Sequence, residues 1–324
     1  VDPDLSAAPF IGLQNCQGNK EVEAKKGIKK VLVLANLRSG LRWSFDVVRR
    51  AMDRWWEGPE TDVRYQFAQN VADGAAKARR AVEEGVDCIL VAGGDGTVST
   101  VGRELIGTSV TLGMIPLGSG NGFARHFGIP LSPARAVHAL AGAKAHKIDV
   151  GVVGETPFLV TCSMAWDASI AKAFARFPVR GILPYALAGA QALFEYKPQA
   201  MVVRLDGGKE IRLPTPLVFT VANLSQYGGG ARIAPRAKAD DGYLELVVVR
   251  MQDIPKLIIQ IGRLFDGSID QLPEVSTWRF RELHVRRENP TAIQVDGELL
   301  GAPTEIVVRV LPRALSVLVP AETV

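Results

Sequence analysis

Three glycine-bearing segments carry the residues best suited to holding phosphate. Gly93-Gly94-Asp95-Gly96-Thr97 follows the apolar run 87–92 and precedes a helical pattern that begins near Val98. Bare backbone at three glycines lets several N–H groups approach one anion, and a helix starting there adds partial positive charge. Asp95 would repel a naked phosphate, so it either orients the loop as a cap or binds Mg2+ through water. The spacing is neither a Walker A loop nor the GxGxxG fingerprint. A second segment, Pro116-Leu117-Gly118-Ser119-Gly120-Asn121, ends the next apolar run, and Asn36-Leu37-Arg38-Ser39-Gly40 ends the first one. In a parallel sheet, loops after neighbouring strands share one crevice at their carboxyl ends. Segments 36–40, 93–100 and 118–121 therefore describe a nucleotide-phosphate site. Arg38 is its charge partner, Ser39 and Ser119 are hydroxyl donors, and Ser99 and Thr100 open the helix behind it.

The elements that would position these loops follow from periodicity. Residues 30–36, the alternating Val63, Tyr65 and Phe67, and the runs 87–92 and 111–116 read as strands. Between them lie a helix carrying Phe45, Val48, Met52 and Trp55, stopped by Gly58-Pro59, and a helix with Val71, Ala75, Ala78 and Val82 on one face. A short helix follows Thr97. Alternation of this kind predicts an open parallel α/β sheet over 28–147. Beyond it the rhythm changes to β: 148–153, 157–163, 200–205, 216–223, 243–249, 277–285, 291–295, 304–310 and 314–319. Helical stretches at 167–195 and 254–265 interrupt this second unit, 148–311. Residues 1–27 show no sustained period and read as a mobile tail.

With 324 residues there is room for two domains. Apolar residues at 47 % and charged residues at 22 % argue against a largely disordered chain. Lys and Arg outnumber Asp and Glu by 38 to 34, an excess too small to imply nucleic-acid binding, although it suits an anionic membrane surface. Cys16, Cys88 and Cys162 form no CxxC, which argues against a disulfide framework or structural zinc and for a reducing compartment. No apolar run is long enough for a transmembrane helix. The four histidines are isolated and receive no catalytic role.

From about residue 29 onward the chain resembles a bacterial member of the diacylglycerol kinase catalytic-domain family, which includes sphingosine and ceramide kinases and is distantly related to NAD kinases. The resemblance rests on the three glycine segments, the last extended to Arg125, and on Ala165-Trp166-Asp167-Ala168, Asn223 through Gly230, Asp240-Asp241-Gly242-Tyr243 and Asp296-Gly297-Glu298. It implies an ATP-binding α/β domain, a β-sandwich acceptor domain and a cleft between them, with the last strand, near 314–319 and within the segment 312–324, returning to the first domain.

Read alone, Asp296-Gly297-Glu298 is a hairpin turn. The resemblance implies that catalytic carboxylates lie there, Asp296 and Glu298 both qualifying as proton acceptor. Asp240-Asp241-Gly242-Tyr243 reads as a β-turn. The resemblance implies a non-transferring Mg2+ on Asp241 and the carbonyls of Lys238 and Tyr243, with a second Mg2+ arriving with ATP. Asp167 is a helix N-cap by pattern and an acceptor-head-group ligand by resemblance. The helix after it interleaves Ile170, Ala173, Phe174 and Phe177 with Lys172, Arg176 and Arg180, a basic amphipathic stretch suited to an anionic bilayer. The expected enzyme is thus an ATP- and Mg2+-dependent kinase for diacylglycerol or a ceramide or sphingoid lipid. It would be cytoplasmic and peripheral on the inner face of the membrane, with homodimer formation open. An NAD or other small-molecule kinase and a non-catalytic nucleotide- or lipid-binding regulator are the rivals. Gly122, Ser99, Thr100 and Ala68 stand where many family members carry aspartate, asparagine, glutamate and threonine.

Overall fold

The computed structural model describes residues 28–36, 42–56, 58–166, 168, 197–251, 256, 259–301 and 303–321. The expected tail 1–27, Arg38, Ser39, Gly40, Asp167 and nearly all of the 167–195 stretch lie outside them. Four parallel strands, β1 (Lys30–Ala35), β2 (Asp62–Phe67), β3 (Cys88–Gly93) and β4 (Thr111–Pro116), lie in the order β2-β1-β3-β4. Every position of β3 and β4 is buried, as in strands covered on both faces. The crossovers are α1 (Arg42–Trp55), α2 (Val71–Glu83) and α3 (Asp95–Leu105); α4 (Gly122–His126) and α5 (Pro133–Ala141) follow β4. In α1 Val48 and Met52 face the core as their spacing predicts. In α2 the expected face is rotated: Gly74, Ala78 and Ala81 are buried while Val71 is exposed. The Asn70 side chain accepts the Asp73 amide (2.9 Å), and that cap fixes Val71 in an exposed first turn.

The remaining strands are β5 (Lys144–Val153), β6 (Thr156–Phe158), β7 (Thr161–Ser163), β8 (Met201–Leu205), β9 (Ile211–Leu213), β10 (Pro216–Ala222), β11 (Leu244–Arg250), β12 (Val275–Phe280), β13 (Glu282–Arg287), β14 (Ile293–Val295), β15 (Glu298–Leu300) and β16 (Glu305–Val319). The first sheet continues through β16, β13, β8 and β9, with β5 and β6 attached; the second is antiparallel, β12-β11-β10-β7-β14-β15. Phe158, Phe219, Leu246, Phe280 and Val285 pack in the core that these two layers share. The four-residue helix α6 (Arg263–Asp266) is the described end of the expected 254–265 helix.

Three apolar runs divide differently from the sequence reading. The run 157–163 breaks at Leu159-Val160, so that β6 and β7 belong to different sheets. The run 277–285 breaks at Arg281, where Asp206 accepts the amides of Arg281 and Glu282 (2.9 and 2.8 Å) and the chain changes sheet. The stretches 304–310 and 314–319 instead form the single strand β16. Its register against β5 shifts between Leu311 and Leu315, and Arg313 takes a left-handed φ of 51° there. Beyond that bend Ser316 and Val317 pair in parallel with Thr111 and Leu112 of β4.

Gly151 of β5 lies against the Phe158 ring, where an added Cβ would come within 2.1 Å of a ring carbon. Gly151→Ala is expected to lower the unfolding free energy by about 1–3 kcal/mol through overpacking. A urea titration reads this, and an unchanged midpoint would contradict it.

Candidate active site

The glycine segments after β3 and β4 meet backbone to backbone. A Cβ on Gly118 would fall 2.7 Å from the Gly94 Cα, so no side chain fits between the loops. Asn121 adopts φ 51°, and its side chain accepts the Gly118 amide (3.1 Å) and donates to the Gly118 carbonyl (2.8 Å). It thereby closes its own loop and leaves Ser119 exposed at the tip. Asp95 reaches across: its two oxygens accept the amides of Gly122 and Phe123 (3.0 Å each), the orphan donors at the start of α4. Burial pushes the Asp95 carboxyl up from its ordinary value, these amides pull it down, and nearby Asp296 pushes it further up. Of the two tasks open to Asp95, orienting the loop is the one its contacts display. Asn36 at the end of β1 donates to the Thr97 hydroxyl (3.2 Å), joining the first strand's exit to the cradle. Gly229 closes the other side, its amide donating to the Gly120 carbonyl (2.8 Å).

Asp296 and Gly297 both have positive φ, 49° and 89°, and link β14 to β15 as a tight two-residue hairpin. The turn reading and the site reading thus hold together. The Asp296 side chain is buried and accepts four hydrogen bonds: from the amides of Leu159 (2.7 Å), Val160 (2.8 Å) and Thr161 (3.1 Å), and from the Ser99 hydroxyl (2.8 Å). Burial pushes its pKa above the usual carboxylate value; the amide and hydroxyl donors and the Arg103 guanidinium, 3.9 Å away, oppose that push. A carboxylate offers about four lone-pair positions, so Asp296 has none to spare. Glu298 differs: its side chain is 41 % exposed and carries one ion pair, to Arg103 Nη1 at 2.9 Å. Thr100 turns its hydroxyl back onto the Gly96 carbonyl (2.8 Å).

The corner expected to hold a structural cation is otherwise engaged. Asp241 Oδ1 accepts the Tyr243 amide (3.1 Å), and Oδ2 is bound to Arg279, whose guanidinium also lies over the Tyr243 ring. Lys238 is exposed beside it. Each Asp241 oxygen thus already holds one donor, so a Mg2+ on Asp241 and the carbonyls of Lys238 and Tyr243 would have to share that carboxylate with Arg279 or displace it. The turn is held instead by Asp149, fully buried, which accepts the amides of Gly242 (2.6 Å) and Arg313 (2.7 Å).

Arg103, Asp149 and His126 escape the sequence reading. Arg103 stands four residues after Ser99, one helical turn on, so their shared face was available as a signal. Asp149 is a lone carboxylate in an apolar strand. His126 Nδ1 accepts the Ser225 amide (3.2 Å) and meets the Ser225 hydroxyl (2.9 Å), tying α4 to the segment that carries Gly228–Gly230. An amide can only donate, so Nδ1 carries no proton; burial lowers the imidazole pKa to about 4.

The chain is thus a two-part α/β and β-sandwich protein with glycine turns meeting at the exits of adjacent strands. The family description "Diacylglycerol kinase catalytic domain" matches residues 30–153, and "YegS C-terminal NAD kinase beta sandwich-like domain" matches 160–319. The chain belongs to the diacylglycerol kinase catalytic-domain family and is a lipid kinase of that family. It is 32 % identical over 248 residues to a diacylglycerol kinase of Mycobacterium tuberculosis, covering 74 % of this chain and 79 % of the relative. A YegS-like lipid kinase of Chromohalobacter salexigens is 33 % identical over 239 residues, covering 70 % and 74 %. A crystal structure from Bacillus anthracis, described as a diacylglycerol kinase, shares the fold with a TM-score of 0.69 at 20 % identity, covering 91 % of this chain and 98 % of that one.

Two outcomes are expected from these contacts. His126 is neutral in the folded state down to about pH 4, whereas an unfolded histidine takes up its proton near pH 6.5. Its contribution is therefore complete above pH 6.5 and is lost as the pH falls to 4. Relative to His126→Gln, the native chain should lose about 3 kcal/mol across that window; parallel stability curves for the two proteins would contradict this. Chelation of divalent cations should shift the melting temperature of the nucleotide-free protein by no more than about 1 °C, because Arg279 already balances Asp241. A drop of several degrees, reversed by Mg2+, would contradict it.

Proposed function

We propose that the chain transfers the γ-phosphoryl group of ATP to a hydroxyl of diacylglycerol or of a ceramide or sphingoid lipid, working as a peripheral enzyme on the inner face of the cytoplasmic membrane. The observation that carries the reading is the meeting of the 93–97 and 118–121 glycine loops with the 296–298 hairpin through the Ser99–Asp296 bond. Loops around Gly93, Gly94, Gly96, Gly118 and Gly120 would receive the phosphates on bare backbone. Asn36, Thr97, Ser119 and, by resemblance, Arg38, Ser39 and Gly40 would complete the cradle. Magnesium arriving with ATP supplies neutralisation of the phosphate oxygens, and the buried carboxylates Asp95 and Asp296 leave negative charge beneath the cradle that suits such a cation.

Of the two carboxylates in the hairpin, Glu298 has a free oxygen to accept a proton, while Asp296 is saturated. In the proposed step a Glu298 oxygen takes the proton of the acceptor hydroxyl as the acceptor's own oxygen bonds to the γ-phosphorus. The bond to the β–γ bridging oxygen breaks and ADP leaves. Asp167 would meet the acceptor head group. The names of the diacylglycerol kinase relatives support the acceptor class.

The test is a labelled-ATP assay with diacylglycerol, ceramide, sphingosine and monoacylglycerol in mixed micelles, with NAD as the soluble arm. Glu298→Gln is expected to lower kcat by about 10²–10⁴-fold with KM little changed. Asp296→Asn is expected to show first as lost stability. Phosphorylation of NAD alone, or full kcat in Glu298→Gln, would overturn the assignment.

A further inference from the structure

A hollow of about 420 Å3 opens beside the Gly228–Gly230 segment, lined by Ile129, Leu131 and Phe265 together with the side chains of Arg125 and Arg232. It adjoins the candidate cradle directly. Arg125 Nε donates to the Gly120 carbonyl (3.2 Å), the same oxygen that accepts the Gly229 amide. A Cβ on Gly230 would touch both Phe265 (3.8 Å) and Arg125 (3.9 Å).

The segment leading into this hollow carries exposed apolar side chains: Ile259 is 82 % exposed, Ile261 58 % and Phe265 55 %, with Leu131 at 41 % across the hollow. Single exposed apolar residues are ordinary, whereas three within seven residues beside a hollow mark a contact surface. The charges around it are unbalanced. Asp266 is turned onto Ser268, Asp270 is paired with Arg236, and Glu274 is bound to Lys256. Arg125 and Arg232 have no acidic partner among the described residues. Arginine beside uncovered apolar side chains is complementary to anionic phosphate over acyl chain.

We propose that this face, formed by residues 259–265 with Arg125 and Arg232, docks the protein on an anionic lipid bilayer. Arg125 and Arg232 receive lipid phosphate, and Ile259, Ile261 and Phe265 enter the acyl boundary. The inference rests on the lipid-kinase reading and gives it an address. Because Arg125 of this face bonds the Gly120 carbonyl of the cradle, docking brings the bilayer to the transfer site.

The experiment is sedimentation, without nucleotide, with vesicles of phosphatidylcholine alone and of phosphatidylcholine mixed with phosphatidylglycerol. The native chain should sediment with the anionic vesicles, less so as salt rises. Ile259→Ser with Ile261→Ser, and separately Arg232→Gln, should each weaken partitioning by about five- to tenfold, with unchanged circular dichroism and unchanged turnover of a water-soluble short-chain diacylglycerol. Native sedimentation equal in the variants, no sedimentation with anionic vesicles, or a dimer broken by the isoleucine changes would each overturn the proposal. Vesicle binding lost in the variants, with no lipid phosphorylated by any form, would refute the acceptor reading and leave the docking face standing.

Discussion

A single buried anion organises the reactive corner. Asp296 would be costly in a dry site unless every oxygen lone pair found a donor, and its four donors come from two places far apart in the chain. Three are the consecutive amides of Leu159, Val160 and Thr161, from the β6–β7 link into the start of β7, and the fourth is the Ser99 hydroxyl on α3. Satisfying that charge fixes the α/β layer, the sandwich and the β14–β15 hairpin against one another. Glu298 follows on the same hairpin and Arg103 on the same helix, so their ion pair takes its place from the clamp beneath it. Packing of apolar side chains alone tolerates small slips; four short polar contacts on one carboxylate do not.

Asp95 applies the same device to the cradle. It satisfies the first amides of α4, while Gly94 and Gly118 press together so closely that any side chain would part them. The cradle is thus shaped partly by absence, where bare Cα atoms meet, and partly by carboxylates turned inward rather than toward a ligand. The substitutions at the family's usual positions fit this economy. Ser99 donates to Asp296, and Thr100 bonds its own helix. Gly122 lies 3.0–3.1 Å, measured from where its Cβ would be, from the Tyr227–Gly228 backbone, so an aspartate there would have to move that segment.

The parallel layer was legible because β3 and β4 are largely apolar runs that lead into glycine loops. The glycine loops and the hairpin were legible as motifs. What stayed hidden was every place where a polar group interrupts an apolar run without altering its hydropathy. Leu159-Val160 reads as strand, yet its amides leave the ladder for Asp296. Arg281 sits in a continuous β pattern, yet Asp206, distant in sequence, draws its amide out. The α2 face was misjudged by one position because Asn70 capping, rather than the valine, set where the helix begins. The Asp241–Arg279 pair joins the turn before β11 to β12, and no spacing rule connects them.

The long strand β16 has a consequence for how the chain is made. It supplies the neighbour that covers the outer edge of β4, through Ser316 and Val317, and the same strand runs along β5 and β13. During synthesis the N-terminal sheet therefore emerges with the β4 edge open and stays unfinished until residues 316 and 317 have left the ribosome. An unpaired strand margin of that kind is a template for misassociation. Protection by a chaperone, or a slow codon-limited pause, would matter most in the interval before this closing strand appears.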